Sequence, residues 1–386
     1  MMRDLIPVEE LLNKASAVGQ YYGFTPLSAL TARARGSARP KAGYPETLAH
    51  LALDPVAETV ASFLKHCQNT SCAPTLRQPL FIWHTNITPG RPTPKRVTIQ
   101  FHALGTDRAL ADAVVIRALS ALARDLFREE PVVRINSMGD KETRARYARE
   151  LSSFFKKRAE TLPEECITCA KQDALLAAEI AIERECAEDM PASSEHLSDA
   201  SRKRFEDLLE YLEMIGTSYE LARHLISRGN IWNDTCFELI AGGRRVAWGS
   251  RYNDLVRHFF PSAPFNATGA VLTVASEGTV VKPARSRKKS SARLRFSFVH
   301  IGDEAKRLSI GLAEEFRRAH VSLTQNIGVE SLTEQLYLAE RRGSPYLLIM
   351  GRKEALENSV IVRNRKTQEQ TILPLLGLTE RLKSFA

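Results

Sequence analysis

Apolar residues in the first third of the chain switch between helical and strand spacing. Residues 4–24 place them three or four positions apart, which predicts an amphipathic helix. Residues 79–85 and 97–103 predict two strands around a basic loop rich in proline and glycine. Residues 108–127 return to helical spacing and are predicted to pack on the resulting sheet.

A second strand pair is predicted within residues 225–255. The segment 234–241 favours a strand, a Gly-rich turn follows, and the segment 245–248 returns as the second strand. A flexible backbone, a cation and an aromatic ring then follow at the strand end, at Gly249, Arg251 and Tyr252. A site for an anionic or amino-acid-like ligand needs such groups.

The second half of the chain divides into a helical part and an alternating part. Residues 152–224 are predicted to be helical, with one long helix over 166–188. The stretch 282–295 holds seven cations and no acid, which is typical of a linker that either binds phosphates or keeps the chain soluble. Residues 294–386 alternate strand and helix patterns and predict a five-stranded sheet covered by helices.

Several runs of residues, in this order, resemble motifs of the class II histidyl-tRNA synthetases. Residues 132–140 end a strand in Asn-Ser-x-Gly before a helix, as the family does. Residues 235–255 keep the frame of the family's T-x-F-E and G-G-R-Y-D-x-L motifs, and residues 331–346 match S-L-x-x-Q-L-x-x-A-x-x-x-G-x-x-Y. In the first of these runs, Asn136 and Ser137 are expected to cap the following helix.

The resemblance implies an α+β fold, with a class II aminoacyl-tRNA synthetase-like antiparallel sheet core followed by an α/β anticodon-binding-like domain. The core would comprise residues 1–278, with a helical insertion over about 152–224. A basic linker, 279–293, would join it to the anticodon-binding-like domain, 294–386. The resemblance also implies a homodimer, because the first strand of these synthetases builds the subunit interface.

The positions that bind ATP and histidine in the family hold other residues here. The Arg that grips the ATP α-phosphate falls on Trp83 or His84, and the Arg that contacts the adenine and the γ-phosphate falls near Ser276. The Arg of the amino-acid site falls on Ser227, next to Arg228. Loss of these cations would remove stabilisation of the phosphate charge that develops during adenylation.

Two groups of candidate ligand-binding residues remain. By resemblance, the amino-acid-site candidates are Glu238, Gly249, Arg251 and Tyr252. The RNA-binding candidates are cations in loops, in the linker and at the tip of the last domain: Arg91, Lys95, Arg96, Arg285, Arg287, Lys288, Lys289, Arg352, Lys353 and Arg365. A solvated basic surface is the alternative interpretation of the second group.

The composition of the 386 residues is that of an ordinary globular protein, with 44% hydrophobic and 26% charged residues. The net charge of +9 favours a polyanionic partner such as RNA. The first residues lack the apolar core of a signal peptide, and no apolar run reaches the ~20 residues of a membrane span. A cytoplasmic protein without a membrane partner is therefore expected.

Six scattered cysteines are expected to be reduced thiols in that compartment. Cys166 and Cys169 have the spacing of zinc ligands, but a structural site needs four ligands and only Cys186 follows at a plausible distance. Thiols near a helix start are the preferred interpretation, and no metal site is predicted.

Three functional hypotheses follow. The first is a histidyl-tRNA synthetase-like pseudoenzyme that has lost aminoacylation and acts by binding tRNA, another RNA or a protein. The second is an active, divergent histidine-tRNA ligase that uses ATP and Mg²⁺, with Arg228 or Arg244 replacing the lost Arg. The third is a regulatory subunit like that of the short ATP phosphoribosyltransferase, although such subunits usually lack a terminal domain like residues 294–386. The first is favoured, because a polyphosphate transition state without fixed arginines forgoes much of its stabilisation.

Overall fold

Strands that are mostly buried on both faces form one large sheet in the first 277 residues. The computed structural model describes residues 6–31, 55–75, 78–88, 95–227, 231–277 and 295–385. The first elements are β1 (Ile6–Pro7), α1 (Val8–Tyr21), β2 (Thr25–Pro26), α2 (Leu27–Thr31), α3 (Pro55–Asn69), β3 (Leu80–Thr88), β4 (Lys95–Leu104), α4 (Ala109–Phe127), β5 (Val132–Ser137) and α5 (Lys141–Lys157). The first helix is shorter than the predicted 4–24, because Pro7 stands at its N-cap and Gly23 takes a positive φ of 79° beyond its end.

The next elements complete the large sheet. They are α6 (Glu164–Ala170), α7 (Ala174–Glu183), a 3-10 turn (Ser193–His196), α8 (Asp199–Met214), β6 (Tyr219–Leu221), β7 (Asn233–Ala241), β8 (Arg244–Arg251), α9 (Asn253–Phe259) and β9 (Ala267–Glu277). Within the described residues, the sheet has nine strands in the order β2-β3-β4-β9-β8-β7-β5-β6, and β1 pairs with β9. The predicted antiparallel core is confirmed, because β3-β4-β9-β8-β7-β5 are antiparallel throughout, whereas β2, β6 and β1 pair in parallel with their neighbours.

The two faces of this sheet pack against different helices. One face, here called the helical face, packs against α1, α4 and α8 through residues such as Phe101, Phe237 and Ala270. The other, here called the cleft face, packs against α3, α5, α7 and α9 through residues such as Ile82, Cys236 and Trp248. Because side chains alternate along a strand, the parity of a position decides which face it reaches.

The last part of the chain forms the predicted five-stranded sheet. Its elements are β10 (Phe296–His300), α10 (Asp303–Arg318), β11 (Leu323–Gln325), α11 (Leu332–Arg342), β12 (Tyr346–Met350), α12 (Arg352–Leu356), β13 (Ser359–Asn364), β14 (Gln370–Pro374) and α13 (Leu378–Lys383). The strand order is β11-β10-β12-β13-β14, parallel for the first three strands and antiparallel for the last two.

The two sheets share an apolar interface. The hydroxyl group of Tyr22 donates to Glu314 (3.2 Å), and the side-chain amide of Gln325 donates to the carbonyl oxygen of Tyr21 (2.8 Å). Ile310 and Ile327 of the last part are buried in the same cluster as the helical face. The two parts therefore pack as one body in which α1 and α10 meet.

The prediction of one long helix over 166–188 is wrong. The chain instead forms α6 and α7, separated at Asp173, whose carboxylate accepts from the backbone N–H groups of Leu175 and Leu176 at 3.0 and 3.1 Å. The first backbone N–H groups of a helix have no acceptor within the helix, and the Asp173 carboxylate supplies one. A new helix therefore begins after Asp173.

We expect Asp173→Ala to lower the free energy of unfolding by about 1 kcal/mol, because it removes this cap. Chemical denaturation measures the change. The neighbouring exposed substitution Gln172→Ala is the control and should change the free energy by less than ~0.5 kcal/mol. Equal effects of the two substitutions would contradict the capping role.

The prediction that Asn136 and Ser137 cap α5 is also wrong. The cap is Asp140, whose carboxylate accepts from the backbone N–H of Thr143 (2.8 Å). Asn136 instead donates to the carbonyl oxygen of Leu225 (2.9 Å). The Asn-Ser-x-Gly run thus holds the segment that precedes β7.

Candidate functional site

A cleft of about 600 Å³ lies on the cleft face, beside β5, β7 and β8. Four residues of β5, β7 and β8 line it: Arg134, Glu238, Arg245 and Trp248. Residues 221–226, the helix α7 and the start of α3 line the remainder.

Glu238 is the central charged group of this cleft. Its side chain is only 9% exposed, and its carboxylate lies 3.0 Å from the guanidinium of Arg134 and 3.9 Å from that of Arg245. The strand register explains this grouping, because Glu238 of β7 is paired with Arg134 of β5 on one side and with Trp248 of β8 on the other. The indole of Trp248 is in turn fixed by Trp232, whose ring centre lies 4.7 Å away at an interplanar angle of 66°.

The opposite side of the cleft carries further charges. Glu179 and Glu183 of α7 line it together with Arg223 and His224. Burial, and to a lesser degree the Arg223 charge, lowers the pKa of His224, which is therefore neutral at pH 7. Arginine and glutamate side chains thus face the same volume, an arrangement that suits a small ligand carrying both charges.

Two of the amino-acid-site candidates lie on the opposite face of the sheet. Gly249 faces the helical side, where an added Cβ would lie 2.4 Å from Ala270. Arg251 is completely buried and donates to Asp112 of α4 through Nε at 2.9 Å and through a terminal nitrogen at 2.5 Å. The same guanidinium donates to the carbonyl oxygen of Arg108 (2.9 Å). The structure therefore separates Gly249 and Arg251 from Glu238.

The remaining candidate, Tyr252, lies in a closed aromatic cluster. Its hydroxyl is 2.8 Å from Nδ1 of His102, and Phe63 stacks on the same imidazole at a ring-centre distance of 3.9 Å. Burial, and secondarily His84, lowers the pKa of His102 to about 3. Tyr252 and His102 are both fully buried, so this cluster packs the cleft face beside the cleft.

The two residues at the position of the first phosphate-binding Arg point to opposite faces. Trp83 packs on the helical face against Gly19 of α1. His84 shares the cleft face with His66 of α3, at a ring-centre distance of 6.3 Å. Burial, followed by the His66 charge, lowers the pKa of His84 to about 4, so its ring is neutral at pH 7. His84 therefore gives the cleft face a neutral imidazole at this position, and not a fixed cation.

The other two substituted positions also hold polar neutral groups. Ser276 is buried and donates to the carbonyl oxygen of Ile6 (2.6 Å), joining β9 to β1. Ser227 is buried, and the next residue, Arg228, lies outside the described residues. Neither β3 nor β9 contains a lysine or an arginine along its length, and the cations of β4, Lys95 and Arg96, stand at its first two positions.

The RNA-binding candidates are only partly described. Arg352 and Lys353 are exposed at the start of α12, whereas Arg365 is half-buried and lies 3.4 Å from Glu340. Lys95 is half-buried and Arg96 is exposed. The other candidates lie outside the described residues: Arg91, Arg285, Arg287, Lys288 and Lys289.

Sequence reasoning missed Arg134, Arg245 and Trp248 as partners of Glu238. Arg134 could have been predicted if the pairing of β5 with β7 had been known, because opposite charges on paired strand positions attract each other. No pattern within a single strand reports this contact, since it depends on the register between strands about 100 residues apart.

Across the described ranges, no group of three or more His, Cys, Asp or Glu side chains is placed to hold a metal ion. Among the helices that the structure describes, none is both long and apolar enough to span a membrane.

Comparisons with known proteins show similarity to histidine–tRNA ligases and to an anticodon binding domain. The profile of the anticodon binding domain matches residues 296–385, the last five-stranded sheet and its helices. Histidine–tRNA ligases from Fervidobacterium nodosum and Thermosipho melanesiensis are 27% and 26% identical over 287 and 330 residues, covering 70% and 81% of this chain. A third, from Corynebacterium jeikeium, is 28% identical over 292 residues. The matches span 66%, 76% and 64% of these three relatives, respectively.

Solved structures give weaker matches along most of the chain. Apo histidyl-tRNA synthetase from Staphylococcus aureus is 18% identical, covers 99% of this chain and 98% of its own, and has a TM-score of 0.48. The motifs, the profile of the last domain and the curated relatives agree, and together they support a class II histidyl-tRNA synthetase-like family.

Proposed function

We propose that this chain is a histidyl-tRNA synthetase-like pseudoenzyme that binds tRNA or a related RNA and does not activate an amino acid. One observation carries the proposal. The two strands at the family's phosphate-binding positions, β3 and β9, contain no lysine or arginine, and the histidine that β3 places on the cleft face is neutral.

Charge development explains why this observation matters. Adenylation moves negative charge onto the phosphates of ATP, and fixed cations stabilise that charge in the transition state. Arg245 is on β8, next to β9, and Arg134 is on β5, two strands further along the sheet, but both lie close to the Glu238 carboxylate. The described residues of β3 and β9 thus do not fit ATP and Mg²⁺ in the manner of an active ligase.

RNA binding is supported by the last domain and by the charge of the chain. Residues 296–385 match the anticodon binding domain, and the chain carries a net charge of +9. Exposed cations on that domain, Arg352 and Lys353, are available for phosphate contacts.

We expect no histidine-dependent ATP–pyrophosphate exchange from the purified protein, and none with any other amino acid. Fixed cations at a phosphoryl transition state contribute factors of about 10³ to 10⁵ to the rate, so their loss would leave no measurable exchange. An active histidyl-tRNA synthetase assayed in parallel is the positive control.

Histidine-dependent exchange would contradict the proposal and favour the active, divergent ligase. A matched pair of variants would then locate the phosphate site. His84→Arg would place a cation on the cleft face and raise the exchange rate, whereas Trp83→Arg would bury a cation against α1 and destabilise the fold.

Binding of RNA is tested separately, by titrating the protein with tRNA at several salt concentrations. We expect affinity to fall steeply with salt, and each of Arg352→Gln and Lys353→Gln to lower the slope of log K against log salt by about 1. Lys171→Gln, which removes an exposed cation in the helical insertion, is the control. Absence of salt-sensitive binding would contradict RNA binding. The pseudoenzyme would then have to act by binding a protein.

The same proposal includes a homodimer, which rests on the family resemblance. Sedimentation velocity should then give twice the 43.1 kDa mass of the chain. A single species at the monomer mass across micromolar concentrations would contradict it.

A further inference from the structure

A second cavity, of about 470 Å³, lies between the large sheet and the last domain. It is here called the interdomain cavity. One side is formed by the start of β3 and the loop that leads into α4, and the other by α10 and residues 327–334. Both parts of the chain are needed to form it, so it is distinct from the cleft that contains Glu238.

Part of the interdomain cavity is apolar. Phe81 and Leu110 line it from the large-sheet part, and Ile327 lines it from the last domain. The close approach of the two parts depends on Gly328, where an added Cβ would lie 2.7 Å from the ring of Phe81. An apolar ligand group would find three buried hydrophobic side chains here.

A buried cation lines the same cavity. Lys306 is 1% exposed, although its described acceptor, Glu330, is 60% exposed. The same oxygen of Glu330 also accepts from Arg108 (2.8 Å). Arg108 donates to Asp303 as well. One exposed carboxylate oxygen thus serves two cations, and a second anion beside Lys306 would add to its stabilisation.

The titration of Lys306 agrees with this geometry. Burial lowers the pKa of its ammonium group, even though Glu330 opposes the shift. Arg108 adds to the shift and Asp303 opposes it, so burial outweighs the two carboxylates in setting the pKa of Lys306.

Acidic side chains complete the wall. Asp107 and Glu334 line the cavity in addition to Glu330, and Glu334 is half-buried at the first turn of α11. The cavity therefore offers cations, carboxylates and an apolar surface within one small volume.

We propose that the interdomain cavity binds a small zwitterion with an apolar body, namely an α-amino acid with an aliphatic side chain. Its carboxylate would bind Lys306 and Arg108, and its ammonium group would bind Glu334. Its side chain would pack on Phe81, Leu110 and Ile327. Because the ligand contacts both parts of the chain, its binding stabilises their docking. The proposal does not rest on the loss of amino-acid activation.

Calorimetric titration of the full chain with leucine, N-acetylleucine and leucine methyl ester tests the proposal. We expect saturable leucine binding and a rise in melting temperature, because a ligand that binds only the folded state stabilises it. The acetyl derivative lacks the ammonium group and the ester lacks the carboxylate, so each should bind at least tenfold more weakly.

Variants locate the site. Lys306→Met and Glu334→Gln should each weaken leucine binding at least tenfold, whereas Lys203→Met, an exposed lysine on α8, should leave it unchanged. If Lys306→Met does not fold, Glu334→Gln and the two leucine derivatives still decide the question.

Three outcomes would overturn the proposal. They are the absence of binding by any aliphatic amino acid at millimolar concentration, equal binding of leucine and its two derivatives, and loss of binding in Glu238→Gln but not in Lys306→Met. The last result would place the ligand in the cleft. None of these outcomes depends on pyrophosphate exchange, so they are distinguishable from failure of the proposed function.

Discussion

Asp112→Ala is expected to lower the free energy of unfolding by about 3 to 5 kcal/mol, because it leaves Arg251 as a buried charge without its partner. Both side chains of this pair are 0% exposed. Arg251 also donates to the carbonyl oxygens of Arg108 and Thr106, so the pair joins the end of β8 to the loop before α4. Chemical denaturation at pH 7 measures the loss.

The control is the double variant Asp112→Ala with Arg251→Met, which removes both charges. We expect it to be more stable than Asp112→Ala alone, because no buried charge remains without a counter-ion. A double variant at least as unstable as the single one would mean that shape, and not charge compensation, dominates at this position. The result also bears on the motif, since a strong structural role would account for Arg251 whether or not the chain activates an amino acid.

Glu314→Gln is expected to lower the free energy of unfolding by about 3 kcal/mol at pH 7, with a smaller effect in acid. Glu314 is 5% exposed and accepts from Arg317 (2.8 Å) and Arg124 (2.6 Å) at the interface of the two parts. Burial alone would raise its pKa, but the neighbouring arginines outweigh burial and lower the pKa to about 2, from an ordinary value of 4.5.

The sign of the pH dependence follows from this lowered pKa. The folded protein holds Glu314 ionised more strongly than the unfolded chain does, so its stabilising effect is complete above about pH 4.5 and is lost as the pH falls towards 2. The difference in stability between the wild type and Glu314→Gln should therefore shrink from about 3 kcal/mol at pH 7 to about 2 kcal/mol at pH 3.5.

Urea denaturation of both proteins between pH 7 and pH 3.5 measures this difference. The adjacent exposed residue provides the control, since Glu315→Gln should change the free energy of unfolding by less than ~0.5 kcal/mol. A difference for Glu314→Gln that stays constant over the same range would exclude a lowered pKa as the source of its stabilisation.

The sequence by itself determined the order and type of most elements. Apolar spacing located α4, the strand pairs β3–β4 and β7–β8, and the five strands of the last domain, because these patterns are local and repeat at the period of the element. It located the boundaries less well. The break at Asp173 was missed because a single capping carboxylate, within a run that otherwise favours a helix, separates α6 from α7.

Only the tertiary structure decided which candidate residues meet. The sequence grouped Glu238, Gly249, Arg251 and Tyr252 by motif, yet the two faces of the sheet separate Gly249 and Arg251 from Glu238. Strand register brought Arg134 to Glu238, and domain docking brought Lys306 near Phe81. These contacts join residues roughly 100 or more positions apart, so no local period encodes them, and they form only when sheets and helices bury their apolar faces together.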